Sequence, residues 1–131
     1  DALDLAFAEA CERLTSGRRF ITGYPADQAA LARINPDGQT AARFELVIDG
    51  IEIANGYWEL LGADEHRQRF KADSEIRQQR GLPAMAVDDA FLAALKHGLP
   101  ECAGVALGFD RLVMLAVGAK ALSNATAFRG S

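Results

Sequence analysis

The chain has 131 residues, enough for one hydrophobic core and hardly for two. Half of them are apolar and 24% are charged, the balance of a globular domain rather than a disordered, collagen-like, coiled-coil or disulfide-scaffold chain. Fourteen basic against eighteen acidic residues leave a net charge of -4, so no overall basic field exists to grip a nucleic-acid backbone, and any contact with RNA has to be local.

Residues 2–16 place Leu3, Ala6, Phe7, Ala10 and Leu14 on one helical stripe, with Gly17 as the stop. Arg19 to Tyr24 reads as a short strand ended by Pro25, Ala26 to Arg33 as a brief helical turn, and Asn35-Pro36-Asp37-Gly38 as a loop. Phe44, Leu46 and Ile48 alternate with Glu45, Val47 and Asp49. Asp49-Gly50 is a two-residue hairpin turn, and Ile51 and Ile53 continue on the return strand. Gly62 to Arg80 is a charged helix capped by Asp64, with Glu65/Arg69 and Asp73/Arg77 spaced four apart, and Gly81 and Pro83 stop it. Val87 to His97 forms a second helix with Asp88 as cap and Phe91, Leu92 and Leu95 inward. Gly104 to Gly108 is a strand, Asp110 to Val117 a helix, and Ala125 to Phe128 an edge strand. The mixture is α+β with a mostly antiparallel sheet.

The longest apolar run, Leu112 to Val117, is far short of the roughly 20 residues a membrane helix needs. Cys11 and Cys102 lack CxxC spacing and read as reduced thiols of a cytoplasmic protein. His66 and His97 have no partner at metal or triad spacing and read as surface or capping residues. Arg67, Arg69, Arg77 and Arg80 are diluted by acidic neighbours and read as a solvated face. The first residue is Asp1 in a helical pattern, as expected of a piece of a longer protein.

Three constellations carry chemistry. A two-residue turn at Asp49-Gly50 pairs Val47 with Glu52 and Glu45 with Ala54, leaving Glu45 and Glu52 as diagonal neighbours about 7–8 Å apart at their backbones. Two carboxylates on one face repel unless a cation lies between them; Mg²⁺ carrying phosphate oxygens suits such a pair, and a simply wet sheet face is the alternative. In Ile53-Ala54-Asn55-Gly56-Tyr57-Trp58-Glu59-Leu60, Asn55 offers an amide to a carboxylate and Glu59 a carboxylate to an amine. Strict alternation turns both away from Glu52, so a shared site needs a bulge or bend at Gly56. A bulged strand with Tyr57 and Trp58 as core or rim is the plainer account. Third, Gly104, Ala106 and Gly108 leave one strand face bare for a planar ligand or another backbone. Arg111 follows in the first helical turn, placed to reach an anion. No GxGxxG or GxxxxGK spacing occurs.

Taken together, Phe44-Glu45, Gly50-Ile51-Glu52-Ile53-Ala54-Asn55-Gly56-Tyr57-Trp58-Glu59-Leu60, Gly98-Leu99-Pro100 and Gly104-Val105-Ala106-Leu107-Gly108-Phe109-Asp110-Arg111-Leu112-Val113-Met114-Leu115 resemble the catalytic core of the class II lysyl-tRNA synthetase family. The last block resembles its motif 3. Ala106, where lysyl-tRNA synthetases usually carry glycine, and Tyr24-Pro25-Ala26-Asp27-Gln28-Ala29-Ala30-Leu31-Ala32 resemble the branch of ligases that attach (R)-β-lysine to elongation factor P.

The resemblance implies a class II synthetase-like sheet flanked by helices. Residues 1–131 would be the C-terminal part of the catalytic core, with motif 3 at about 104–117. It implies that Glu45 and Glu52 hold Mg²⁺ on ATP, that Asn55 contacts the amino-acid carboxylate, and that Glu59 takes the side-chain or terminal amine. Tyr57 would be a pocket wall and Ala106 would shape the pocket floor. Gly108 would make room for adenine, and Arg111, the catalytic residue of the set, would clamp the γ-phosphate. The activity implied is adenylation of lysine or β-lysine and transfer to a lysine of elongation factor P, in a protein that is a homodimer at full length. The alternatives are a fragment of an ordinary lysyl-tRNA synthetase acting on tRNA-Lys, or a non-catalytic paralogue that only binds nucleotide or a partner. Motif 1, motif 2 with its α-phosphate arginine, and an anticodon-binding domain have no match in the 131 residues. The chain alone is therefore expected to be inactive or weakly active.

Overall fold

The computed structural model describes residues 9, 10, 13 and 16–126. The helix expected over 2–16 falls almost wholly outside them, as do Cys11 and the end of the strand expected at Ala125–Phe128. Strands β1 (Arg18–Thr22), β2 (Arg43–Ile48), β3 (Ile51–Trp58) and β4 (Ala103–Leu107) form one sheet in the order β1-β2-β3-β4. Helices α1 (Ala63–Gln79) and α2 (Asp89–His97) separate β3 from β4, and α3 (Phe109–Ala116) follows β4. The class is α+β, as expected. Among the described residues no helix is long and apolar enough to cross a membrane.

The chain divides into two compact units. The first comprises 1–23, 43–56 and 105–131, and the second 24–42 and 57–104, so both β3 and β4 pass from one unit into the other. In the first unit β1 runs antiparallel to β2, with Phe20 opposite Leu46 and Ile21 opposite Glu45. The β2–β3 turn has positive φ at both central residues, 51° at Asp49 and 79° at Gly50. That is the twist a two-residue hairpin requires, and the reason for an Asp-Gly pair there. Asp49 also accepts from the Gly17 amide at 2.7 Å, which ties the turn to the residue before β1. Among the described residues, Val47, Ile53, Ala54 and Met114 are this unit's buried apolar side chains.

In the second unit, the segment between β1 and β2 holds itself through isolated bridges, Pro25 to Thr40 and Ile34 to Ala41. Its helical turn is shorter than expected, a single 3₁₀ turn at Ala26–Gln28. Asp37 closes the following loop by accepting from the amides of Gln39 and Thr40 and from the Thr40 hydroxyl. These bonds favour the charged form, the Thr40 hydroxyl most, and hold the Asp37 carboxyl below the usual carboxylate range.

Helix α1 begins at Gly62 with no side-chain cap; Asp64, expected as the cap, lies inside the first turn. Glu65 and Arg69 pair at 2.6 Å as their spacing predicts, and Arg69 also donates to the carbonyls of Ala30 and Ala32. Arg77 instead reaches the Pro83 carbonyl beyond the helix end. His66, read from the sequence as a surface residue, is only 2% exposed. Its Nδ1 lies 3.0 Å from the Gly62 carbonyl, and its ring meets Phe70 and Phe91 edge-on at 5.9 and 5.3 Å. Helix α2 starts as predicted: the Asp88 carboxylate accepts from the Phe91 amide at 2.9 Å. Leu92 and Leu95 point into the core.

Candidate functional site

Within the first unit the chemistry gathers on the hairpin and the start of α3. Glu45 is 8% exposed, which is costly for a carboxylate unless it is paired. Its Oε1 accepts from Arg43 Nη2 at 2.6 Å and from Asn55 Nδ2 at 3.4 Å. The register of an unbroken hairpin puts Asn55 on the other face from Glu45. Asn55 Nδ2 nevertheless stands 3.4 Å from Glu45 Oε1, just after Ile53 and Ala54, which are both buried. Asn55 Oδ1 is buried without a hydrogen-bond partner among the described residues. An unmet acceptor in such surroundings costs roughly 1–3 kcal/mol, so a ligand donor that reaches it recovers free energy.

Glu52 and Arg111 form the second pair. Arg111 Nη1 donates to the Glu52 main-chain carbonyl at 2.8 Å and stands 3.9 Å from its Oε2, with both side chains half-exposed. The Gly108 amide donates to the Ile53 carbonyl at 2.8 Å, holding the exit of β4 against β3. A Cβ at Gly108 would press on Arg111 Cδ at 3.3 Å, so this glycine leaves room for the arginine stem. Ala106 lies on an exposed stretch of β4.

The repulsion expected between Glu45 and Glu52 is met by guanidinium groups, Arg43 beside one carboxylate and Arg111 beside the other. Among the described residues no three His, Cys, Asp or Glu side chains gather as a metal cage. Two carboxylates without a third protein ligand suit a Mg²⁺ whose remaining ligands are phosphate oxygens and water. The donor set therefore fits a metal delivered on a nucleotide.

Within the second unit the chemistry gathers at Glu59. Its amide donates to the Cys102 carbonyl at 3.1 Å, and its own carbonyl accepts from Arg33 Nε at 2.9 Å. The carboxylate passes so close over Gly104 that a Cβ there would overlap Oε1 and stand 3.3 Å from Cδ. The bare strand face read from the small residues thus receives, at Gly104, a side chain of the protein itself. Tyr57 is half-buried, and Trp58 is more exposed, with the Arg33 guanidinium 4.9 Å from its ring centroid. Sequence reasoning missed Arg33, whose one visible signal is a lone charge closing the run Ala29-Ala30-Leu31-Ala32.

The two clusters coincide with the blocks in which the sequence resembles a synthetase core, and comparison with known proteins agrees. The family model described as "tRNA synthetases class II (D, K and N)" matches residues 8–130. The elongation factor P–(R)-β-lysine ligase of Pectobacterium carotovorum is 56% identical over 110 residues, which is 83% of this chain and 34% of that protein. The ligases of the same name from Hamiltonella defensa and Yersinia enterocolitica are 54% and 53% identical over the same shares. The chain thus spans about a third of the length of the curated relatives it matches. With nearly the whole chain inside the family model, and with the carboxylates, amide and arginine of the matching blocks folded onto one sheet and the helix after it, the chain belongs to the class II tRNA synthetases of the D, K and N group.

Proposed function

We propose that this chain carries the nucleotide- and amino-acid-binding part of a ligase that activates lysine, or (R)-β-lysine, for transfer to a lysine of elongation factor P. The observation that carries the reading is the Glu45–Asn55 contact, because it brings a buried carboxylate and an amide with an open acceptor to one place. The name shared by the relatives above supports the β-lysine branch over an ordinary lysyl-tRNA synthetase.

In this reading Glu45 and Glu52 hold Mg²⁺ on ATP, and the ion neutralises phosphate charge when bound. Arg111, anchored on the Glu52 carbonyl, offers its remaining N–H groups to the γ-phosphate. Gly108 admits the adenine beside the strand exit. Asn55 receives the head group of the amino acid, donating to its carboxylate through Nδ2 and accepting through Oδ1. Glu59 takes the side-chain or terminal amine, with Tyr57 as wall and Ala106 as floor. A carboxylate oxygen of the amino acid attacks the α-phosphorus of ATP, the α–β phosphoanhydride bond breaks, and pyrophosphate leaves. The amine of the acceptor lysine then attacks the acyl carbon of the adenylate and AMP leaves. Positioning and charge neutralisation do this work without a dedicated general base. The free thiol Cys102 fits a reducing cytoplasmic setting.

The test is calorimetric titration of the chain with Mg·ATP, L-lysine and (R)-β-lysine, beside ATP–pyrophosphate exchange. Binding of both Mg·ATP and β-lysine, with β-lysine lost in Glu59→Gln, supports the reading. A folded chain that binds neither lysine isomer overturns it. Exchange by the 131 residues alone is expected to be slow. The α-phosphate arginine of motif 2 has no counterpart in this sequence, and losing one such transition-state contact costs about 10²–10³ in rate.

A further inference from the structure

Glu59, the residue after β3, is held by two other pieces of chain: Arg33 on its carbonyl, and the 102–104 stretch on its amide and under its carboxylate. Arg33 bonds to β3 through its main chain, where its amide donates to the Trp58 carbonyl at 2.9 Å, and again through its side chain. The guanidinium donates from Nε to the Glu59 carbonyl at 2.9 Å and from Nη1 to Glu101 Oε1 at 2.8 Å, while its plane covers Trp58. Glu101 precedes Cys102, whose carbonyl takes the Glu59 amide, and Gly104, over which the Glu59 carboxylate lies. One planar cation therefore bridges the end of β3 and the approach to β4, the two pieces of chain between which the carboxylate must sit. Lysine cannot reproduce this: a point charge on a flexible stem lacks the stacked plane and the two divergent N–H donors.

We propose that Arg33 is the positioning residue for Glu59, fixing its carboxylate over the side-chain-less backbone of Gly104 and thereby setting which primary ammonium the protein accepts. The inference rests on the reading of Glu59 as the amine receptor, and its test has an arm that does not.

In chain labelled with ¹³C at glutamate carboxyls, the Glu59 resonance is assigned through Glu59→Gln and followed in Arg33→Lys and in Gly104→Ala. Both variants are expected to move that resonance. Both are also expected to weaken binding of (R)-β-lysine and L-lysine about tenfold or more, the scale of one hydrogen bond to a charged group, with Mg·ATP affinity unchanged. A general loss of structure would lower both affinities together. Should Arg33→Lys fail to fold, Glu101→Ala releases the exposed end of the same bridge and is expected to move the resonance in the same sense. An unmoved Glu59 resonance in folded Arg33→Lys, while Gly104→Ala moves it, overturns the proposal. A parent chain that binds no lysine refutes the functional reading alone, since the resonance still reports whether Arg33 places the carboxylate.

Discussion

Arg111, in the first turn of α3, donates to the main-chain carbonyl of Glu52 at 2.8 Å, across 59 positions of sequence. The contact fixes where the guanidinium stands and leaves its other N–H groups available to an anion. Because both side chains are half-exposed, the pair adds little to stability, in the range of about 0–1 kcal/mol for solvated partners. Arg111→Ala is therefore expected to unfold within about 1 kcal/mol of the parent in urea. Mg·ATP affinity should fall ten- to a hundredfold, the equivalent of about 1.5–3 kcal/mol for a hydrogen bond to a charged group. Parallel denaturation and calorimetric titration separate the two effects, and equal losses in both would contradict the assignment.

The hairpin turn makes a second, sharper prediction. Asp49 and Gly50 both hold positive φ, and an L side chain in the left-handed region costs about 1–2 kcal/mol unless it is Asn or Asp. Gly50→Val is expected to destabilise the chain by at least that amount. Asp49→Asn, which keeps an oxygen for the Gly17 amide and gives the favoured Asn-Gly pair, should stay within about 0.5 kcal/mol. Urea midpoints for the two variants decide it.

His66 lies against Phe70 and Phe91 with its Nδ1 at the Gly62 carbonyl. Replacing it by alanine removes a fully buried ring and leaves a cavity between two phenylalanines. The expected loss is about 2–4 kcal/mol, comparable to other large-to-small core changes. The helices α1 and α2 meet at these rings, so the loss should appear as earlier unfolding of the second unit. Mg·ATP binding, proposed for residues of the first, should persist wherever the chain remains folded.

What the sequence made legible was local. The Asp49-Gly50 turn, the Asp88 cap and the Glu65/Arg69 pair each depend on residues within four positions, and each is present. Long-range placement was not readable. Arg33 finds its partners 26 and 68 positions away, and nothing near it in the chain marks them. His66 sits among charged neighbours in sequence, and its ring is covered by Phe70 of α1 and by Phe91 of α2. Strict alternation sets Asn55 apart from Glu45, yet its Nδ2 stands 3.4 Å from the Glu45 carboxylate, a contact between strands that no local pattern in β3 marks. The motif blocks located Glu45, Asn55 and Arg111 correctly on strand and helix but could not show that Arg43 neutralises Glu45.

Asp37 gives a pH dependence with a definite sign. Its carboxyl is held below the ordinary range by the Thr40 hydroxyl and then by the amides of Thr40 and Gln39. A group whose folded pKa is depressed stabilises the fold above its unfolded value, and that contribution disappears as pH falls through the folded one. The parent chain should therefore lose thermal stability from about pH 4 downward, near where an unperturbed Asp titrates. In Asp37→Asn this component of the slope is removed. Melting curves from pH 6 to pH 2 that run parallel for the two proteins would show that the loop bonds do not act through the carboxylate charge.

The last prediction concerns the single methyl group that separates Ala106 from the glycine usual in lysyl-tRNA synthetases. Ala106 sits on β4 between Gly104 and Gly108, so its Cβ is the one side-chain atom on that face of the strand. (R)-β-lysine carries its inner amine one carbon farther from the carboxylate than L-lysine does, with the terminal amine unchanged, so the two ligands would present different outlines to the floor proposed at Ala106. Removing the methyl in Ala106→Gly should shift the ratio of affinities toward L-lysine. The shift is bounded at about 10–200-fold, because a methyl-sized difference in a pocket is worth only about 1–3 kcal/mol. Titrating parent and variant with both isomers measures the ratio directly. An unchanged ratio would mean that the methyl of Ala106 does not tell the isomers apart and merely tolerates either ligand.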